Sequence, residues 1–441
     1  MIGVIVRVLA LDIGSSSVKG AVVEGTKILG LAARVAFATR YDGTQAEVDA
    51  ATIRRAVIQI TRELSVRARG VDVLSLCAMA PSWVAMDGAG NALTPVVTHQ
   101  DRRSIVQANL LEKRIGRWRH LRITGNRPFP GGISSTTALW YAQNHPAVLK
   151  RAELVGHLGT YLLRAWTGAR VTDPSNASFM GVYHTCTLGG WSEELLAAAG
   201  LKMGQMPELH EANQVVARLS AEAARELSLR PGLPVLPGIM DSSAAMLHVG
   251  TEHGTLLNTS GSTDVLALCV DKPHPNELLL TRALGVGKKW LAVSTLASAG
   301  TTLTWLHQTL FAELSDAAFY RMVGRVVKMG NVAGDVGFEP YLAGSRLSIE
   351  QRQGVFTGLT LGTARVDMLR AAVDALAKAG GSRIAILRER YGAFSSRVHV
   401  TGGVGVALAS VLHRDWPGTW TFVMRKEATL LGLAKLADLV K

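Results

Sequence analysis

The chain has 441 residues, a formal net charge of +13, 48% hydrophobic and 18% charged residues, and a mean hydropathy of +0.20. At roughly 100–200 residues per domain, this length predicts two or three domains with sizeable cores, and the composition excludes a disordered chain. No run of about 18 uninterrupted apolar residues occurs, so no membrane-spanning helix is expected.

The basic residues are scattered, without the aromatic interleaving or the motifs of a nucleic-acid reader. Solvated surface is the leading reading of the charge, and a phosphorylated ligand or a nucleic acid the alternative. Neither nucleic acid nor membrane is expected as a partner. Residues 1–11 are apolar but lack a basic leader and run into Asp12, so they read as a buried strand rather than a signal peptide. Cys77, Cys186 and Cys269 show no CxxC spacing and read as small buried hydrophobes in a cytoplasmic protein.

In chain order, residues 4–11 read as a strand, 14–17 as a turn, 18–24 as a second strand and 27–36 as a third. Residues 51–68 follow a helical period, with Ile53, Val57, Ile60 and Leu64 on one face. A buried strand follows at 71–78, and strand–helix–strand order argues for an α/β mixed sheet covered by helices. Residues 100–165 read as mostly helical, with a stiff Pro/Gly break at 125–132 that suits either a substrate rim or a plain connector. Residues 254–270 repeat the opening strand–turn–strand theme, which places a domain boundary near 248: one domain over 1–247, another over 248–441. A periodic helix is expected at 364–380, a strand at 396–401 and a final helix at 427–440.

Two small-residue loops stand in corresponding halves. In Asp12-Ile13-Gly14-Ser15-Ser16-Ser17-Val18-Lys19, Gly14 admits close backbone approach and the serines offer hydroxyl and N–H donors to phosphate oxygens. Asp12 suits Mg²⁺ held largely through water, and Lys19 adds charge. Ser260-Gly261-Ser262-Thr263 is the counterpart. Neither loop is a Walker A motif, and each alone is also compatible with an ordinary hairpin turn. Thr401-Gly402-Gly403-Val404 suits either an adenine ring against bare backbone or a helix-packing turn. Asp241, after Pro237-Gly238 and before Ser242-Ser243, reads as the N-cap of a helix. It is either a cap alone or the carboxylate that an alcohol kinase needs beside the attacking hydroxyl. Asp101 and Arg103 pair either as hydroxyl-binding groups or as a surface salt bridge.

Taken in order, these segments resemble the FGGY carbohydrate kinases of the actin/hexokinase/Hsp70 ATPase superfamily over nearly the whole chain. Residues 94–103, 171–178 with Trp191, 238–245, 337–346 and 401–403 resemble its sugar-site, VTDxSxAS, catalytic-loop, FxPYLxGxR and adenosine segments. The resemblance implies two actin-like (ribonuclease H-like) α/β domains, each a mixed sheet flanked by helices, with an interdomain active-site cleft. ATP and Mg²⁺ would be bound and a small sugar, polyol or aldonate phosphorylated. Asp241 would be the catalytic base and Asp12 the metal organiser. Gly14, Ser15, Ser16, Ser17, Lys19, Gly261, Ser262, Thr263, Gly300, Gly402, Gly403 and Val404 would take ATP. Ser82, Trp83, His99, Asp101 and Arg103 would take the substrate.

Departures are visible. His99 replaces the usual Trp of the sugar segment, and Ala78-Met79-Ala80-Pro81-Ser82-Trp83 carries neither the Gln-Met-His-Gly of xylulose kinases nor the Arg-Glu of glycerol kinases. Phe129 and Thr136-Thr137 stand where gluconate kinases have polar or basic residues. Val404-Gly405-Val406-Ala407 replaces the small polar run after the adenosine glycines. A rival reading follows, a non-catalytic sugar- or nucleotide-binding regulator of the same fold; an actin- or chaperone-like ATPase is a more distant one. Oligomeric state is left open, a homodimer included.

Overall fold

The computed structural model describes residues 6–330, 335–402 and 406–440, and the chain divides into two compact units. The first comprises residues 1–252, 269–291 and 427–441, the second residues 253–268 and 292–426. Among the described residues no helix is long and apolar enough to cross a membrane.

In the first unit, β1 (Arg7–Ile13) is antiparallel to β2 (Ser17–Glu24). Helix α1 (Ala50–Leu64) starts at Asp49, whose carboxylate accepts from the Thr52 amide, and buries Ile53, Val57, Ile60 and Leu64 as the period requires. Each such side chain contributes about 1.5–3 kcal/mol when fully buried. Gly20 of β2 lies beneath this helix: a Cβ there would stand 3.0 Å from Leu11 and 3.1 Å from Leu64. The strand expected over 27–36 is two short pieces, Lys27–Ile28 and Ala33–Ala36, parted at Gly30 with φ of +80°.

β3 (Val73–Ala78) then lies parallel to β1, and β4 (Pro234–Val235) and β5 (Ile239–Met240) lie parallel to β3 on its other side. Between β3 and β4 the chain forms helices Ile105–Ile115, Arg117–Thr124, Ser135–Asn144, Pro146–Arg151 and Leu158–Thr167. It also forms a buried strand, Leu154–His157, inside the stretch read as helical. The short helix α2 (Pro174–Ala177) follows, and α3 (Asp241–Val249) leaves directly from β5.

The second unit repeats the opening arrangement. β6 (Leu256–Ser260) is antiparallel to β7 (Asp264–Val270), with β8 (Trp290–Leu296) beyond β7. Helices α4 (Gly300–Leu310) and α5 (Arg365–Tyr391) follow, and β9 (Arg397–Thr401) lies parallel to β6 as β3 does to β1. Helix α6 (Val406–His413) and β10 (Thr421–Met424), parallel to β9, complete it. The chain then returns to the first unit as α7 (Ala428–Asp438), where Gly432 packs so closely on α3 that a Cβ would lie 1.7 Å from the Ala244 carbonyl oxygen.

Candidate active site

The strand register of the first unit brings its acids to one end of the sheet. Asp12 is paired with Lys19 across β2 and with Cys77 across β3, and Cys77 is paired in turn with Ile239 of β5. β1, β3 and β5 are parallel, so Asp12 and Asp241 emerge at the same sheet end, about two strand spacings or 10 Å apart across it.

The Asp12 carboxylate accepts from the Thr429 hydroxyl at 2.7 Å and from the Cys77 thiol at 3.4 Å. Burial raises its pKa, against which the Thr429 and Cys77 hydrogen bonds and the Lys19 charge favour the ionised form. Burial pushes the Cys77 thiol well up, and the charges of Asp12 and Asp241 push it further, so this buried sulfur senses both acids. Cys77 and Cys269 are buried and unbridged, and Cys186 is half-buried. Lys19 forms an ion pair with Glu427, its Nζ 2.8 and 3.0 Å from the two carboxylate oxygens. Glu427 and Thr429 were missed from sequence; the signal was an acid and a hydroxyl at the start of the last apolar helix.

Asp241 was expected as an N-cap. Instead Met240 keeps extended backbone (φ −68°, ψ 145°) and caps the helix, and Asp241 is its first residue. The physical reason is that β5 continues through Met240 beside Ala78 of β3, so the turn into helix begins one residue later. Its carboxylate accepts from the Ser242 amide at 2.6 Å and the Ser242 hydroxyl at 3.0 Å. The position retains the favourable end of the helix dipole.

The small-residue turns differ in what they require. Across the first, the Gly14 amide donates to the Ser17 carbonyl at 2.9 Å, with Ser16 exposed and Ser15 half-buried. A Cβ on Gly14 would meet only the Ser17 oxygen at 3.5 Å, and one on Gly261 would meet nothing within 4 Å. Neither glycine is imposed by its own unit's packing. Gly300 and Gly402 are: a Cβ would fall 2.5 Å from the Gly261 oxygen and 2.2 Å from the Ser260 oxygen respectively. The Ser262 carbonyl accepts from the amides of Ala299 and Thr301, tying the second turn to the start of α4.

A buried network holds that hairpin: Arg383 pairs with Asp264 at 2.5 Å, Asn258 donates to Asp264 at 2.8 Å, and His413 bonds Asn258 at 2.9 Å. Burial lowers the His413 pKa to about 4, so the ring is neutral near pH 7. Gly403 and Val404 lie outside the described residues.

The sugar-segment residues are in the first unit. Asp101 and Arg103 are not a surface pair: they meet at 2.7 Å with side chains 2% and 4% exposed, and Arg103 also reaches Glu47 at 2.6 Å. The guanidinium lies 4.9 Å from the Trp140 ring centre, and Asp101 accepts from the Ala46 amide at 2.8 Å. The Ser82 hydroxyl is buried and accepts from the Leu158 amide at 3.1 Å. Trp83 packs on Tyr141 at 4.8 Å, and its indole N–H has no hydrogen-bond partner among the described residues. His99 is half-buried, and its carbonyl accepts from Arg102, which also ties down the Pro130 carbonyl of the Pro/Gly loop.

A family model for the N-terminal domain of the FGGY family of carbohydrate kinases matches residues 7–248, and the C-terminal domain model matches residues 256–437. The chain belongs to that family. It is thus an enzyme of the ATP-dependent carbohydrate-kinase class. It is 25% identical over 412 residues to a gluconokinase of Bacillus licheniformis, covering 90% of this chain and 79% of the relative. It is 27% identical over 312 residues to a xylulose kinase of Klebsiella pneumoniae, covering 69% of this chain and 62% of the relative. In fold it matches the crystal structure of a gluconate kinase from Lactobacillus acidophilus with a TM-score of 0.86 at 20% identity, covering 99% of this chain and 89% of that one. The two-domain α/β FGGY architecture expected from the motifs is the one found.

Proposed function

We propose that this FGGY chain transfers the γ-phosphoryl group of ATP to a hydroxyl of a small sugar, polyol or aldonate, with Asp241 as the general base. The observation that carries the reading is the strand register. It sets Asp12 and Asp241 at one sheet end with a single strand between them. Phosphoryl transfer asks for positioning, charge stabilisation and one proton acceptor: Asp241 would be the acceptor, and Asp12 would hold the Mg²⁺ that supplies the charge stabilisation.

The residues fit ATP and Mg²⁺. Gly14 and Gly261 leave open the space a Cβ would fill, without any packing reason in their own units. Asp12, with few protein neighbours of metal-binding type, suits an ion that keeps most of its water; among the described residues no cluster of three or more acids, histidines or cysteines competes for it. MgATP, when bound, supplies the transferable phosphoryl group.

Asp241 takes the proton of the attacking hydroxyl. Ser15, Ser16, Ser17, Lys19, Ser262 and Thr263 orient phosphate oxygens, and Gly300, Gly402, Gly403 and Val404 take the nucleoside. Ser82, Trp83, His99, Asp101 and Arg103 shape the acceptor site; because Asp101 and Arg103 satisfy each other, they act more as a rigid wall than as free hydrogen-bonding groups. The names of the relatives favour aldonates and ketopentoses. A cytoplasmic protein fits the unbridged cysteines.

The test is ADP release with MgATP and a panel of D-gluconate, D-xylulose, glycerol and further polyols and ketoses. The reading expects acceptor-dependent turnover with at least one compound. ATP binding by calorimetry without turnover on any would favour the non-catalytic regulator.

A further inference from the structure

The buried segment Asp173-Pro174-Ser175-Asn176 has no part in the reading above, yet it touches the base-bearing strand. Asp173 is fully buried. One carboxylate oxygen accepts from the Ser175 amide at 2.8 Å and the Ser175 hydroxyl at 2.5 Å, and the other from the Asn176 amide at 3.1 Å and side-chain amide at 2.7 Å. Burial raises the Asp173 pKa to about 6, against these donors, so it is ionised near neutral pH.

With its proton committed to Asp173, the Ser175 hydroxyl turns a lone pair outward, and the Met240 amide donates to it at 2.9 Å. Among the described residues β5 pairs with β3 alone. The hydroxyl therefore takes the bond that a further strand would take, on the residue immediately before Asp241. Gly285, at φ +100°, closes over this group: a Cβ there would lie 2.5 Å from the Asp173 carboxylate.

We propose that Asp173 and Ser175 are positioning residues that fix Asp241 through the Met240 peptide. The proposal rests on the reading of Asp241 as the base. A misplacement of about 1 Å at a reacting group costs on the order of 10²-fold in rate.

The experiment is single-turnover transfer from radiolabelled MgATP to whichever of D-gluconate, D-xylulose and glycerol is turned over fastest. Ser175→Ala should lower the rate of transfer about 10–100-fold while KM for ATP stays within about twofold. Asp173→Asn should show the same split, and it supplies the result should Ser175→Ala not fold. Added to Asp241→Asn, Ser175→Ala should cause no further loss.

Undiminished transfer in folded Ser175→Ala, or in Asp173→Asn where Ser175→Ala does not fold, would overturn the proposal. So would equal losses with and without Asp241. If Asp241→Asn itself transfers at the wild-type rate, the base assignment falls, and the positioning claim falls with it. A dead Asp241→Asn beside an unaffected Ser175→Ala removes the positioning claim alone.

Discussion

Thr429→Val removes one hydroxyl and leaves the side-chain shape nearly unchanged. That hydroxyl donates to Asp12 at 2.7 Å. A hydrogen bond to a charged acceptor contributes about 1.5–3 kcal/mol, and it favours the ionised carboxylate over the protonated acid. Burial already raises Asp12, and losing this donor raises it further. The donor lowers the folded-state pKa relative to the variant, so its stabilisation is present at neutral pH and is lost as pH falls through the folded Asp12 pKa. Urea unfolding should therefore show the variant about 1.5–3 kcal/mol less stable at pH 7.5, with the gap narrowing in acid. The magnesium concentration for half-maximal turnover should rise on the order of tenfold, the lower end of that free energy. A stability gap independent of pH together with an unchanged magnesium requirement would show that Thr429 merely packs, and the account of Asp12 would fail.

Other outcomes follow from single contacts. Gly432→Ala forces a Cβ into the Ala244 carbonyl and should cost at least about 1–3 kcal/mol in urea unfolding; wild-type stability would mean that α7 and α3 do not cross so closely. Gly14→Ala should keep the melting temperature within a degree or two yet weaken ATP binding several-fold in calorimetry, whereas Gly402→Ala should lower the melting temperature, because the Gly402 Cβ would press to 2.2 Å from the Ser260 oxygen while the Gly14 Cβ would stand at an ordinary 3.5 Å from the Ser17 oxygen. Burial and the Arg282 charge hold the His157 pKa down to about 3, so its neutral form adds stability that is complete above about pH 6.5 and declines toward pH 3. His157→Gln should remove a slope of up to about 1.4 kcal/mol per pH unit from the acid limb, and identical limbs would contradict the buried neutral ring.

What could be read from the residues was local. The apolar runs before Gly14 and Gly261 announced two similar hairpins, and the spacing of Ile53, Val57, Ile60 and Leu64 announced α1. The helix read as ending at 380 runs to Tyr391, because Gly380 and Gly381 do not stop it. They let it pass the last turn of α6 and the chain beyond it, where a Cβ on Gly380 would lie 2.0 Å from the Leu412 oxygen and one on Gly381 2.4 Å from the Asp415 oxygen. The four-residue strand Leu154–His157 was too short to show a period among its helical neighbours.

The site was legible where one motif contains it and illegible where distant segments complete it. Thr429 is 417 residues from Asp12 and Glu427 is 408 from Lys19, and no spacing rule links them. Asp101 and Arg103 were recognised as a pair, but Glu47 and Trp140, which turn the pair into a buried wall, come from other parts of the first unit.

The most direct measurement is transfer by Asp241→Ala, followed in a single turnover with MgATP and the preferred acceptor, beside calorimetric titration of the same variant with MgATP. The account predicts that transfer is abolished while ATP binds within a few-fold of the wild-type affinity. Wild-type transfer rates in that variant would contradict it.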